Sequence, residues 1–116
     1  MCFKSIINHT NHDKEIEAEF YQIADSPYDV ERNNCTHKSL EFATILIHEY
    51  DCRNITFNIL PHKDGEYNHA FLLWEEMVYD PTSKPPFYRE DYDTYLKIME
   101  QNGFQTQNIT QSQLKE

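Results

Sequence analysis

From Asp13 to Ala24, Ile16, Phe20 and Ile23 recur at helical spacing, with Lys14, Glu15, Glu17 and Glu19 on the other side. The pattern predicts a helix over 13–24, stopped by Asp25-Ser26-Pro27. Residues 25–34 read as loop, ending in Asn33-Asn34. A second helix is expected from Cys35 to Tyr50. Its Leu40, Phe42, Ala43, Ile45, Leu46 and Ile47 cover much of the circumference, the pattern of a mostly buried helix. The period then changes to two. Ile55, Phe57 and Ile59 alternate with Thr56 and Asn58, which predicts a half-buried strand with the polar pair outward. Asp64-Gly65 signals a turn. Tyr67 to Trp74 is apolar on both faces, like a central strand, and Glu75-Glu76 can turn the chain into a short strand, Met77-Val78-Tyr79. Asp80-Pro81-Thr82 ends that strand and Pro85-Pro86 starts a loop. A last helix is expected over 90–102, with Tyr92, Tyr95, Leu96 and Met99 inward and Gly103 just past its end.

Helix, helix, strand, strand, strand, helix is the order of an α+β domain: N-terminal helices packed on a small antiparallel sheet, then a C-terminal helix. Residues 1–116 read as one domain, with 1–10 as a loosely ordered arm and 105–116, which holds four Gln, as a loosely ordered tail.

Three residues in this frame carry chemistry. Cys35 stands at the start of the most buried helix, where free backbone N–H groups and the helix dipole favour thiolate over thiol. The helical stripe Cys35, Ser39, Phe42, Leu46 turns the sulfur toward the sheet. His69 lies in the otherwise apolar strand Ala70-Phe71-Leu72-Leu73-Trp74, and a buried imidazole needs a hydrogen-bond partner. Asp80 can supply it. With the hairpin centred between Trp74 and Glu75, residue 69 faces residue 80, and a shift of two keeps them diagonal neighbours. Cys, His and Asp together make a triad in which thiolate attacks a carbonyl, imidazolium protonates the leaving amine and carboxylate orients the ring. The oxyanion would be held by the Cys35 N–H and one further donor, for which Asn33 and Asn34 are the candidates.

The stretches Asn33-Asn34-Cys35-Thr36-His37, Asn68-His69-Ala70-Phe71 and Tyr79-Asp80-Pro81-Thr82 resemble the transglutaminase-like (papain-like) cysteine protease superfamily, over roughly residues 28–84. The resemblance implies a papain-like, transglutaminase-core fold with Cys35 as nucleophile, His69 as general base and acid, and Asp80 as the orienting residue. It also implies thiol-dependent amide chemistry: peptidase, amidase, deamidase or cross-linking transferase. Phe71 stands where the family usually has Trp, Asn34 where an aromatic is common, and no Trp lies upstream to build a cross-linking tunnel. Hydrolysis of a peptide, isopeptide or side-chain amide is therefore expected ahead of acyl transfer or deamidation. A non-catalytic protein-binding module with the same fold is the alternative from another class.

Composition narrows the partners. Ten Lys and Arg against 20 Asp and Glu give a net charge of −10, which argues against nucleic acid and anionic membranes and favours a peptide or protein substrate of basic character. Cys2, Cys35 and Cys52 are odd in number and form no CxxC pair, so a reducing, cytoplasmic setting without a disulfide framework is expected. No apolar run is long enough to span a membrane, and the apolar stretch at the start is too short for a secretory signal. His9, His12 and Asp13 form the nearest approach to a metal motif, but no zinc-finger or HExxH spacing occurs, and neither metal nor cofactor is expected.

Overall fold

The computed structural model describes residues 3–65 and 67–114, with side chains from residue 12 onward; Cys2 and the His9 side chain lie outside the described set. Helix α1 spans Phe3–Asp25, α2 Cys35–Tyr50 and α3 Tyr92–Gln101. Strands β1 Thr56–Pro61, β2 Asn68–Trp74, β3 Met77–Asp80, β4 Phe87–Asp91 and β5 Thr110–Gln113 form one antiparallel sheet in the order β4-β3-β2-β1-β5. The expected α+β class is therefore observed.

Three segments differ from expectation. Residues 3–10, expected as part of a loose arm over 1–10, belong to α1, which is interrupted by non-helical backbone at His12. Residues 87–91, expected as loop running into a helix, form β4, an edge strand whose side chains are only half covered and so carry no clear alternation. Residues 110–113, expected as a loose tail, form β5. Its Thr-Gln-Ser-Gln side chains are all exposed; backbone pairing with β1 holds it, and Ile109 and Leu114 at its two ends pack against the core.

Both faces of the sheet are covered. Ile16, Phe20 and Ile23 of α1 and Phe42, Ala43 and Leu46 of α2 pack with Ile55, Leu72, Trp74 and Tyr79 on one face. Tyr95 and Met99 of α3 pack with Leu60, Phe71, Val78 and Phe104 on the other. This second layer explains the behaviour of β1. Asn58, expected outward, is fully buried, and its Nδ2 donates to the carbonyls of Thr56 and Phe71. Phe57 and Ile59 are only half-buried.

Helix α2 carries Cys35 at its first position. Asn34 caps it: the side chain accepts from the His37 N–H while the His37 ring accepts from the Asn34 N–H. Phe42 and Leu46 are fully buried, and each contributes roughly 1.5–3 kcal/mol by leaving water. That anchorage outweighs the roughly 1 kcal/mol of a cap and sets where the first turn sits.

Between β2 and β3 the register is Leu72↔Tyr79, Leu73↔Val78 and Trp74↔Met77, two residues away from the expected one. The hairpin turns on Glu75 and Glu76, with φ of 54° and 66°. Two adjacent positive φ values are the geometry of a type I′ turn, which Asn-Gly favours and Glu does not, so residue type alone does not mark this turn. Glu76→Gly should relieve this strain and stabilise the protein by about 1 kcal/mol, read as a higher urea midpoint at unchanged slope. An unchanged or lowered midpoint would show that the left-handed backbone at Glu76 carries no strain. Gly103, where expected past the end of α3, has φ 95°, and a Cβ there would stand 2.6 Å from His62 Nε2.

Candidate active site

The shifted register brings His69 and Asp80 together diagonally rather than face to face. His69, Phe71, Val78 and Asp80 project to the α3 side of the sheet. A diagonal pair is within reach of a long side chain, and His69 Nε2 meets Asp80 Oδ2 at 2.6 Å. Asp80 is fully buried. A buried carboxylate is costly unless its lone pairs are filled, and here six donors fill them. His69 Nε2, the Ser83 hydroxyl and the Tyr95 hydroxyl reach Oδ2 at 2.6, 2.6 and 2.7 Å. The Thr82 N–H, the Thr82 hydroxyl and the Ser83 N–H reach Oδ1 at 3.1, 3.1 and 3.3 Å. Burial pushes the Asp80 carboxyl up, but the His69 charge and these bonds hold it below the usual carboxylate range.

Cys35 arrives from the other side. The body of α2 packs on the opposite face, but its first residue reaches the open half of β2. There β3 pairs only with Leu72, Leu73 and Trp74, so no β3 residue lies across from His69 and Ala70. The Ala70 N–H and the His69 ring both bear on the Cys35 sulfur and lower the proton affinity of its thiol, and the sulfur in turn raises that of the imidazole. With Nε2 engaged by Asp80, the nitrogen left for sulfur is Nδ1. Cys35 is partly exposed, the His69 side chain is 14% exposed, and Phe104 tilts against the imidazole at 5.7 Å between ring centres. The pair is therefore reachable from solvent while its carboxylate is not.

The charges are mutually supporting. Burial alone pulls the His69 imidazole down, but the Asp80 carboxylate and the Cys35 sulfur reverse this and carry it up to about 10. Burial raises the Cys35 thiol, and the His69 and Ala70 bonds more than offset it, so the thiol is held below its ordinary value. A thiolate–imidazolium pair is the protonation state this arrangement favours.

Asn33 and Asn34, expected as oxyanion donors, are engaged within their own loop. The Asn33 Nδ2 donates to the Ser26 hydroxyl at 2.9 Å and the Pro27 carbonyl at 2.7 Å. The Asn34 Nδ2 donates to the Val30 carbonyl at 2.8 Å, and its Oδ1 caps α2. Both amides shape the 26–34 loop instead of facing a substrate, because a tight loop entering a helix must satisfy its own backbone first. At the first position of α2, the Cys35 N–H remains the candidate oxyanion donor.

Tyr95 and Ser83 complete the Asp80 shell; the sequence pattern marks Tyr95 only as an inward residue of the last helix and does not mark Ser83. Tyr28 is a further neighbour. Its phenol is 56% exposed, and burial and then the Cys35 charge raise its proton affinity, which places it within electrostatic reach of the sulfur. Cys52 is buried, with its thiol toward the Tyr50 carbonyl. In the N-terminal metal candidate, the His12 ring bonds Glu15 and the Asp13 carboxylate is held by Arg89 and Tyr88. Among the described residues no group of three or more His, Cys, Asp or Glu is placed to hold a metal ion, and no helix is long and apolar enough to cross a membrane. Comparison with protein-family models, curated proteins and solved structures finds no match to this chain.

Proposed function

We propose that this protein is a thiol hydrolase of transglutaminase-like type, cleaving a peptide, isopeptide or side-chain amide bond and needing no cofactor. The observation that carries the reading is the bond of His69 to the buried Asp80 carboxylate beside a partly exposed Cys35 whose sulfur is coupled to the same imidazole. The Cys35 thiolate attacks the amide carbonyl carbon, and the C–O π pair moves onto oxygen beside the Cys35 N–H. His69 gives its proton to the leaving amine as the C–N bond breaks, leaving a thioester on sulfur. Neutral His69 then takes a proton from water as that water attacks the thioester. Collapse of the second tetrahedral adduct releases the carboxylic acid and restores the ion pair. Asp80 is a positioning residue throughout: it fixes which ring nitrogen faces sulfur and stabilises the imidazolium.

The substrate in this reading is a peptide or protein, not nucleic acid, and the reaction takes place in a reducing, cytoplasmic compartment that keeps the thiol available. Iodoacetamide at about pH 6 tests the nucleophile, since an ordinary thiol with a pKa near 8.5 is almost wholly protonated there. Cys35 should alkylate at least roughly tenfold faster than a free model thiol, with Cys52 protected by burial. A rate no faster than the model thiol would favour a binding module that keeps the fold without the chemistry.

A further inference from the structure

Beside this site lies a cavity of about 630 Å³, walled by the 24–28 segment, by Lys38 of α2 and by the 81–86 segment that follows Asp80. Lys38 is its unusual member. The residue is only 3% exposed, although lysine is almost never fully buried without a partner charge. Its ammonium donates to the carbonyls of Ala24 at 3.2 Å and Ser26 at 2.7 Å. A lysine has three N–H donors, so one is left without an acceptor among the described residues. Burial and the nearby Lys84 ammonium lower its proton affinity; Asp25 and Glu41 oppose them only by charge at a distance. Two ammonium groups thus line one cavity with a single carboxylate, Asp25, on its wall. Such a pair is mutually unfavourable until an anion fills the space between.

Two observations tie the cavity to the thiol. Lys38 follows Cys35 by three positions on α2, so the two side chains are neighbours along the helix with Cβ atoms roughly 5–6 Å apart. Tyr28 both lines the cavity and lies within reach of the sulfur charge. Its hydroxyl offers a third donor at the boundary.

We propose that this cavity binds a carboxylate group of the substrate, so that the preferred substrate carries an acidic side chain or a free C-terminal carboxylate close to the amide attacked by Cys35. The inference rests on the thiol-hydrolase reading for its substrate and on Lys38, Lys84 and the cavity for its chemistry. It modifies the expectation from net charge. The −10 of the whole chain favours basic partners at long range, but that field is screened within about 8 Å at physiological salt, and in contact the two lysines decide.

The test uses the full chain as Cys35→Ala, so that binding is read without turnover. ¹⁵N-labelled protein is titrated with N-acetylglutamate α-methylamide, which carries only the side-chain carboxylate, and with N-acetylalanine, which carries only the terminal one; N-acetylglutamine methylamide is the uncharged match and inorganic phosphate a second anion. Saturable shifts are expected at the amides of residues 26, 28, 38 and 82–84 with the carboxylate ligands and not with the uncharged one, and the tighter of the two carboxylates identifies the side-chain or the C-terminal source. Lys84→Met, a change at an exposed position, should weaken that binding by about tenfold, and Lys84→Arg should restore most of it. Lys38→Met should abolish binding; because it alters a buried group, Lys84→Met is the variant that decides. Equal response to the uncharged ligand, an unchanged affinity in Lys84→Met, a response to phosphate alone, or no saturable shift at all would overturn the proposal. Selective carboxylate binding by a protein that cleaves no acidic peptide amide would remove the hydrolase reading and leave the binding site standing.

Discussion

Cys35→Ala should lower amide turnover by roughly 10⁴-fold or more while leaving the fold intact. The rate loss follows from the covalent step. Without sulfur no thioester forms, and removal of a triad nucleophile costs nearly as much as removal of the whole triad. The stability change is small because Cys35 is only partly buried and α2 is held by Phe42, Leu46 and its Asn34 cap. Loss of one sulfur there should cost about 1 kcal/mol or less. The check is paired: turnover of a mixed set of peptide and isopeptide amides, and a urea unfolding curve on the same sample. A Cys35→Ala protein with wild-type turnover would refute the nucleophile; one that fails to fold would show that the first turn of α2 depends on the sulfur.

Asp80→Asn should have the second-largest effect, on two observables at once. In the wild type, Asp80 accepts from His69 Nε2 and leaves Nδ1 toward sulfur. An amide Nδ2 in that place donates to Nε2, moves the ring proton to Nδ1 and leaves the imidazole unable to accept from the thiol. The corresponding change in a serine triad costs about 10⁴ in kcat, and a loss of that order is expected here. Stability should fall by about 2–3 kcal/mol, because the Ser83 and Tyr95 hydroxyls lose a buried charged acceptor. The pH dependence of that difference has a definite sign. The Asp80 carboxyl is depressed in the folded state, so its contribution is present above its unfolded pKa, about 3.9, and is lost as pH falls. His69 is raised to about 10, so its contribution is complete below its unfolded pKa, about 6.5, and is lost as pH rises toward 10. Wild type should therefore exceed Asp80→Asn most between about pH 4 and 6.5, with the gap closing on both sides. A gap that does not vary with pH would mean that the ion pair is absent. Full activity in Asp80→Asn would remove Asp80 from the mechanism.

Much of this site is legible from local pattern. The Asn-Cys boundary and the apolar run to Tyr50 fix both ends of α2, because a cap and a buried stripe are local properties. His69 within an apolar strand, followed eleven residues later by an Asp before Pro, marks the other two positions. What pattern misses depends on partners remote in sequence. The hairpin register rests on two Glu residues in left-handed backbone, which propensity disfavours. β5 shows no apolar alternation because its pairing is purely backbone. Asn58 turns inward only because α3 covers the second face of the sheet. Asn33 and Asn34 resemble oxyanion donors in one dimension, and only the folded loop shows their amides turned back to Ser26, Pro27 and Val30.

Side-chain ¹⁵N NMR of His69 near pH 8, where an ordinary imidazole with a pKa of about 6.5 is neutral, is the sharpest probe of whether sulfur, imidazole and carboxylate act as one unit. The account predicts a ring protonated on both nitrogens, which loses its proton only toward pH 10 and titrates lower in Cys35→Ala, where the thiolate is gone. A neutral ring at pH 8 whose titration is the same in wild type and Cys35→Ala would contradict it.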